Sequence, residues 1–264
     1  MTTTFTVDGH DVFATTGGVD FDPAKPVVVF LHGAGFDRTT WRLQTRWFAN
    51  HGRSVLAVDL PGHGRSGGPP LPSIAAMADW VIRLLDAAGV RQAALVGHSM
   101  GGLVSLDVAG RYPDRIRALG LCGIAGEMPV HPEMLESAKA GTSKVRELMT
   151  FWGLGRALQI GGMVSPGLWL TRESLAVLDK AAPGVIHNDL AACNVYKDAP
   201  ARAAQVACPA VFVCGDGDQM TPVAKCKPLA AAIAGSRMTT LKACGHFMMV
   251  ERPDETLDAL KAVA

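Results

Sequence analysis

The stretch Ala93-Ala94-Leu95-Val96-Gly97-His98-Ser99-Met100-Gly101-Gly102-Leu103-Val104 holds a strand, a turn and the start of a helix. Ala93 to Val96 is an apolar, β-favouring run. Gly102 to Ala109 reads as a helix, with Leu103, Leu106 and Ala109 at helical spacing. Between them stands Gly-x-Ser-x-Gly. A serine placed between a buried strand and a helix sits on a sharp turn, with its hydroxyl pushed out above the sheet. Gly97 and Gly101 leave room for strand and helix to approach, which a side chain would obstruct. The helix N-terminus beneath Ser99 supplies free N–H groups and a partial positive charge suited to a developing oxyanion.

Outward from this unit, short apolar runs alternate with helical stretches, the pattern of βαβ units in a mostly parallel sheet. Val27-Val28-Val29-Phe30-Leu31 and Val55 to Asp59 read as strands, preceded by a weaker one from Phe5 to Ala14. Thr39 or Thr40 is placed to cap a helix through Trp41, Leu43 and Phe48. Ser73 is placed to cap one running to Ala88. Ala118 to Cys122 is the strand after the serine helix. From about Glu127 to Ala199 the alternation stops, and glycine and proline divide the chain into short helices. Strand rhythm resumes at Val211 to Cys214, followed by a helix from Val223 to Ala234, a strand near Met238 to Leu241 and a last helix after Pro253. The organisation expected is an α/β core of residues 1–126 and 200–264, with a helical cap inserted as residues 127–199.

Composition narrows the function classes. The 264 residues include 25 basic and 24 acidic ones, which gives no reason to expect nucleic acid or an anionic membrane surface as partner. No apolar run approaches the ~20 residues of a membrane span. The start, Met1-Thr2-Thr3-Thr4-Phe5, lacks the charged and apolar regions of a secretory signal. A cytoplasmic protein is expected, acting on a small molecule as a monomer or homodimer. Six cysteines, at positions 122, 193, 208, 214, 226 and 244, form no Cys-x-x-Cys pair or zinc-type spacing. They read as reduced thiols packed as small hydrophobes, with a disulfide between some of them the alternative, and neither a metal nor an organic cofactor is expected.

Nucleophilic acyl chemistry needs a hydroxyl, a base, a group that orients the base, and donors for the oxyanion. Ser99 is the hydroxyl. His246, in Gly245-His246-Phe247, is the candidate base. The orienting group lies in Gly215-Asp216-Gly217-Asp218, where either aspartate is a candidate.

With these parts in order, the chain resembles the α/β-hydrolase superfamily, in its cap-bearing serine esterase-like branch, over essentially its whole length. His32-Gly33-Ala34-Gly35 matches the family's oxyanion loop. Asp59-Leu60-Pro61-Gly62-His63-Gly64-Arg65-Ser66 matches its turn after the following strand, and Gly97 to Gly102 the nucleophile elbow. Gly215 to Pro222 matches the acid loop and Gly245-His246-Phe247 the histidine loop. The resemblance implies the order Ser, Asp, His. It implies the acid three residues after the glycine, hence Asp218, with Asp216 a turn residue; Glu127, after the strand before the cap, is the alternative position. It also implies an oxyanion hole formed by the backbone N–H groups of Ala34 and Met100.

His32, His63, Arg65 and His98 are expected to hold the structure, and His131 and His187 to lie on the cap, exposed by default, with substrate contact the alternative. The cap is rich in apolar residues such as Met128, Met134, Met149, Phe151, Met163 and Trp169, most of which should pack against the core. Phe36, Phe247 and Met248 flank the catalytic loops, and with Trp152 of the cap they are read as substrate-binding, for a largely apolar substrate. Arg146, Arg156 and Arg172 could instead reach a substrate carboxylate. The expected activity is hydrolysis of carboxylic esters through an acyl-enzyme. The same machinery serves lactone, thioester or carbon–carbon cleavage, perhydrolysis and acyl transfer. Serine rather than aspartate at position 99 argues against dehalogenase and epoxide hydrolase chemistry. A ligand receptor on the same fold is the reading from another class.

Overall fold

The computed structural model describes residues 1–161 and 168–263; Met163 of the cap lies outside the described residues. The first strands form a hairpin. β1 (Thr2–Val7) and β2 (His10–Thr15) pair antiparallel from Thr2↔Thr15 to Val7↔His10 around Asp8-Gly9. Both turn residues have positive φ, +52° and +79°, as a two-residue type I′ turn requires. The single weak strand expected from Phe5 to Ala14 is thus two, and the Asp-Gly pair is the sequence signal for the break.

β3 (Val27–Leu31) leads through a short 3-10 turn into α1 (Arg42–Asn50). Asp37, rather than Thr39 or Thr40, caps this turn: its carboxylate accepts the Thr39 N–H, and the Thr39 hydroxyl also donates to it. β4 (Ser54–Val58) follows, then α2 (Ile74–Ala87), where Ser73 Oγ accepts the Ala76 N–H at 3.1 Å. β5 (Ala93–His98), α3 (Met100–Arg111) and β6 (Ile116–Cys122) complete this half.

Between β6 and β7 the regular elements of the described residues are all helical. They are α4 (Pro132–Lys139), α5 (Lys144–Gly153), α6 (Arg156–Gln159), α7 (Leu170–Leu178), α8 (Val185–Val195) and α9 (Ala199–Ala203). β7 (Ala210–Gly215), α10 (Val223–Ala231), β8 (Arg237–Leu241), α11 (Met248–Glu251) and α12 (Pro253–Leu260) follow.

The eight strands form one sheet in the order β1-β2-β4-β3-β5-β6-β7-β8, antiparallel at β1/β2 and β2/β4 and parallel elsewhere. Apart from the half-buried Arg117 in β6, β3 to β7 are buried along their length, as expected of strands covered on both faces. The register aligns strand ends, pairing Leu31 with Gly97, His98 with Cys122, and Gly215 with Leu241. The loops after β3, β5, β7 and β8 therefore open on one edge of the sheet. That edge, near the reversal of strand order between β3 and β5, is where open α/β sheets bind ligands. No helix of the described residues is long and apolar enough to cross a membrane. All six cysteines are free thiols, with the sulfurs of Cys214 and Cys226 3.1 Å apart.

Candidate active site

Ser99 ends β5 and begins α3 with φ +51° and ψ −115°, a backbone conformation costing on the order of 1–3 kcal/mol for a non-glycine residue. Its surroundings hold it there. The Ser99 N–H donates to the Cys122 carbonyl at 2.9 Å, and its own carbonyl accepts the N–H groups of Gly102 and Leu103. A Cβ on Gly97 would run into the Gly101 backbone, and one on Gly101 into the carbonyls of Leu31 and His32. The two glycines thus let helix, strand and neighbouring loop meet at backbone contact, leaving the serine exposed to a cavity.

His246 comes to the same cavity on the loop after β8. Its Nδ1–H donates to Asp218 Oδ2 at 2.8 Å, and both side chains are buried. Asp218 Oδ2 also accepts the Thr221 hydroxyl at 2.7 Å, and Oδ1 accepts the N–H groups of Met220 and Thr221, each at 2.8 Å. Burial works against the carboxylate, but His246 beside it and the bonds from Thr221 outweigh that and bring its pKa down to about 2. Asp216 instead accepts the Cys244 N–H at 3.3 Å, and Glu127 is exposed, 3.4 Å from Lys197. Of Asp216, Asp218 and Glu127, it is Asp218 that reaches His246. The imidazole is then held with Nδ1 protonated and Nε2 free to act as a base.

Ala34 shares the cavity lining with Ser99, and Met100 follows Ser99 at the start of α3, where it carries one of the helix-end donors. Neither backbone N–H has an acceptor among the described residues. His32 secures the Ala34 loop: its Nδ1–H donates to the Gly33 carbonyl at 2.9 Å and its Nε2 accepts the Leu60 N–H at 3.1 Å. Burial, with His63 nearby, lowers its pKa to about 4, so it stays neutral. His98 lies behind the elbow, its Nε2–H donating to the His246 carbonyl at 3.0 Å. Burial, reinforced by His246, likewise holds its pKa well below the ordinary value.

The cavity above Ser99 has a volume of about 240 Å³. Phe36, Trp152 and Phe247, expected from the sequence to bind substrate, are among the residues that line it, and so is His131 of the helical segment. Met248 does not: it is fully buried at the start of α11, facing Gly123, because the chain turns inward after Phe247. The cap contributes Met128, Val130, Met134, Met149 and Leu190. Arg146, Arg156 and Arg172 are absent from the lining; Arg146 pairs with Asp179 at 2.7 Å. Phe151 and Trp169, two of the apolar cap residues, are exposed. Among the described residues no His, Cys, Asp or Glu cluster could hold a metal ion.

Three polar residues around the site carry no role in the sequence pattern. Thr221 bridges Asp218 and His246, and the Asp-x-x-Thr spacing is a local signal for it. Glu251 accepts the N–H groups of Gly155, Gly245 and Phe247 at 2.9 to 3.0 Å, tying the histidine loop to the cap. Asp189 reaches the Ala34 loop from α8. Nothing local distinguishes the last two from solvated helix residues.

Comparison with known proteins gives the same architecture. The model of the alpha/beta hydrolase family matches residues 28–259. A pimeloyl-[acyl-carrier protein] methyl ester esterase of Chromobacterium violaceum is 30% identical over 249 residues, spanning 89% of this chain and 92% of that protein. The RutD protein of Klebsiella pneumoniae (strain 342), provisionally named a carbamate hydrolase, is 30% identical over 244 residues, 88% of each chain. The enol-lactonase of Burkholderia xenovorans LB400 superposes with a TM-score of 0.87 over 99% of both chains at 23% identity, a likeness of fold.

Proposed function

The chain belongs to the alpha/beta hydrolase family, and on that premise we propose that it is a serine hydrolase cleaving carboxylic esters of small, largely apolar substrates through an acyl-enzyme. The observation that carries the reading is a single constellation. A serine on a strained turn faces an apolar cavity that also receives a histidine bonded to a buried aspartate, with two backbone N–H groups lacking acceptors beside it. The similarity to a protein named as a methyl ester esterase supports the ester bond as the target.

In this mechanism Ser99 Oγ attacks the acyl carbon while His246 Nε2 takes its proton. Asp218 keeps the imidazole in the required tautomer and stabilises the imidazolium without being protonated itself. The N–H groups of Ala34 and Met100 receive the charge that develops on the carbonyl oxygen, each worth about 2.7–4 kcal/mol of the barrier. His246 then gives its proton to the leaving alcohol. Water activated by the same imidazole hydrolyses the acyl-enzyme, with neither metal nor cofactor required. Phe36, Trp152 and Phe247 would bind the apolar part of the substrate in what we take to be a cytoplasmic enzyme.

The test is kcat/KM on 4-nitrophenyl esters from acetate to dodecanoate, for the wild type and Ser99→Ala. A chain-length optimum should appear and fall by roughly 10³-fold or more in the mutant, as expected when a nucleophile is removed. Rates unchanged by the mutation would overturn the assignment. Hydrolysis confined to lactones, thioesters or carbon–carbon substrates, and still Ser99-dependent, would keep the triad and change the substrate class.

A further inference from the structure

One buried side chain of the cap reaches the turn that carries Ala34. Asp189, on α8, is fully buried and lies 154 residues along the chain from Gly35. Its Oδ2 accepts the Gly35 N–H at 2.8 Å and also the His63 Nε2–H at 2.8 Å; its Oδ1 accepts from Asn188 Nδ2 at 3.3 Å. His63 Nδ1–H donates to the Pro61 carbonyl at 3.0 Å. One ring nitrogen faces a carbonyl and the other a carboxylate, both of which only accept, so His63 is an imidazolium paired with the Asp189 carboxylate. Burial opposes that charge, yet Asp189 beside it keeps the His63 pKa above its ordinary value.

The Asp189 contact falls on a decisive bond. Gly33 to Phe36 is a turn closed by the Phe36 N–H on the Gly33 carbonyl at 3.2 Å, with Gly35 at φ +70° in the third position. Types I and II of such a turn differ by a flip of the central peptide, here the bond from Ala34 to Gly35. A carboxylate receiving the Gly35 N–H selects one orientation of that peptide and locks the turn in place; the Ala34 N–H, on the peptide before it, keeps its position through the turn as a whole. The cap also presses on the turn directly, since a Cβ on Gly35 would lie 2.9 Å from Ile186 and 3.2 Å from Leu178.

We infer that Asp189, held in place by His63, is a positioning residue for the oxyanion hole: by holding the Gly35 amide it pins the Gly33–Phe36 turn to α8, and with the turn the preceding peptide that carries the Ala34 N–H, so that the hole is complete only when α8 is seated. The inference rests on the serine hydrolase reading above. It makes the cap part of the catalytic assembly as well as the roof of the cavity.

The test compares the full-length wild type with Asp189→Asn, Asp189→Ala and the double variant His63→Phe/Asp189→Leu. The double variant replaces the ion pair by apolar groups and leaves no buried charge unpaired, a change that folds often tolerate. Three readouts are taken on the best 4-nitrophenyl ester: kcat and KM, the Ki of phenylboronic acid, which forms a tetrahedral adduct on Ser99 Oγ, and the Ki of hexanol as an apolar pocket ligand. Asp189→Ala and the double variant should each lose at least ten-fold in kcat with KM within two-fold. The boronate Ki should rise by the same factor as kcat/KM falls, while the hexanol Ki stays put. Asp189→Asn should stay within about three-fold of wild type, because an amide oxygen in the place of Oδ2 still accepts both the Gly35 N–H and the His63 Nε2–H, at the expense of the Asn188 contact and, in a neutral His63, of the bond to Pro61.

Either of the two disruptive variants, once circular dichroism shows it folded, decides between these outcomes. A folded variant with wild-type kcat would overturn the inference, and so would one in which boronate and hexanol weaken alike, the mark of a collapsed pocket. Should both unfold while Asp189→Asn loses as much kcat as Ser99-dependent turnover allows, the acceptor role is likewise overturned; retention in Asp189→Asn supports it. Wild-type hydrolysis that ignores Ser99→Ala would instead sink the hydrolase reading itself.

Discussion

Asp218 receives four hydrogen bonds, from two backbone N–H groups, the Thr221 hydroxyl and His246. Replacing it by asparagine keeps the shape but lets the imidazole adopt the wrong tautomer, so kcat should fall by about 10⁴-fold with folding intact. Thr221→Val removes one bond to the same oxygen and should cost kcat far less. The sign of the pH effect follows from the folded pKa of about 2 against an ordinary value of about 3.9. A depressed carboxyl stabilises the fold above its unfolded pKa and loses that contribution as pH falls toward the folded one. Wild type should therefore lose about 2 kcal/mol more stability than Asp218→Asn between pH 5 and pH 2, measured by urea unfolding. Ser99, His246 and Ala34 can be read from sequence because glycines beside them announce turns of unusual geometry. Asp189 cannot, because its partners Gly35 and His63 lie 154 and 126 residues away and nothing in its own neighbourhood marks them.

At the scale of elements, the site is built from loops that meet at backbone contact. A Cβ on Gly215 would strike the carbonyls of Gly245 and Cys244, and one on Gly153 the ring of Phe247. The His246 N–H donates to the Gly153 carbonyl at 2.6 Å, so the histidine loop is bonded to the end of α5. Glu251, on α11, closes the arrangement from below by accepting three N–H groups. Glu251→Ala leaves those buried donors without their acceptor, at roughly 1–3 kcal/mol each before relaxation. The melting temperature should drop by about 10 °C, and kcat should fall as His246 loses its fixed backbone. A Glu251→Ala protein with wild-type melting temperature and kcat would contradict this account. Strands and helices of the core were legible because buried runs and the Ser73 cap are local signals. The initial hairpin depends on a two-residue turn, and the cap on packing against loops distant in sequence, which periodicity does not report.

Across the whole molecule, buried carboxylates join cap and core at three separated points. Asp107 of α3 accepts from Tyr196 Oη at 2.8 Å and Arg202 Nε at 3.0 Å at one end of the cap, with Arg111 on its other oxygen at 3.1 Å. Asp189 joins α8 to the Ala34 turn, and Glu251 joins the residues after α5 to the histidine loop. Breaking the buried His63–Asp189 pair by removing one partner costs about 3–5 kcal/mol, because the other is left uncompensated; at Asp107 the partly exposed arginines lower that cost, and at Glu251 it is the loss of three backbone hydrogen bonds. A cap held at three such points should not open independently of the core. Unfolding in urea should be one transition, with hydrogen exchange of α8 amides showing the same denaturant dependence as those of α3. Asp107→Ala should break the coincidence, so that α8 and α9 exchange at lower urea than α3. A separate early transition of α4 to α8 in the wild type would mean that the cap is a mobile lid, and that substrate entry, not chemistry, is what its contacts govern.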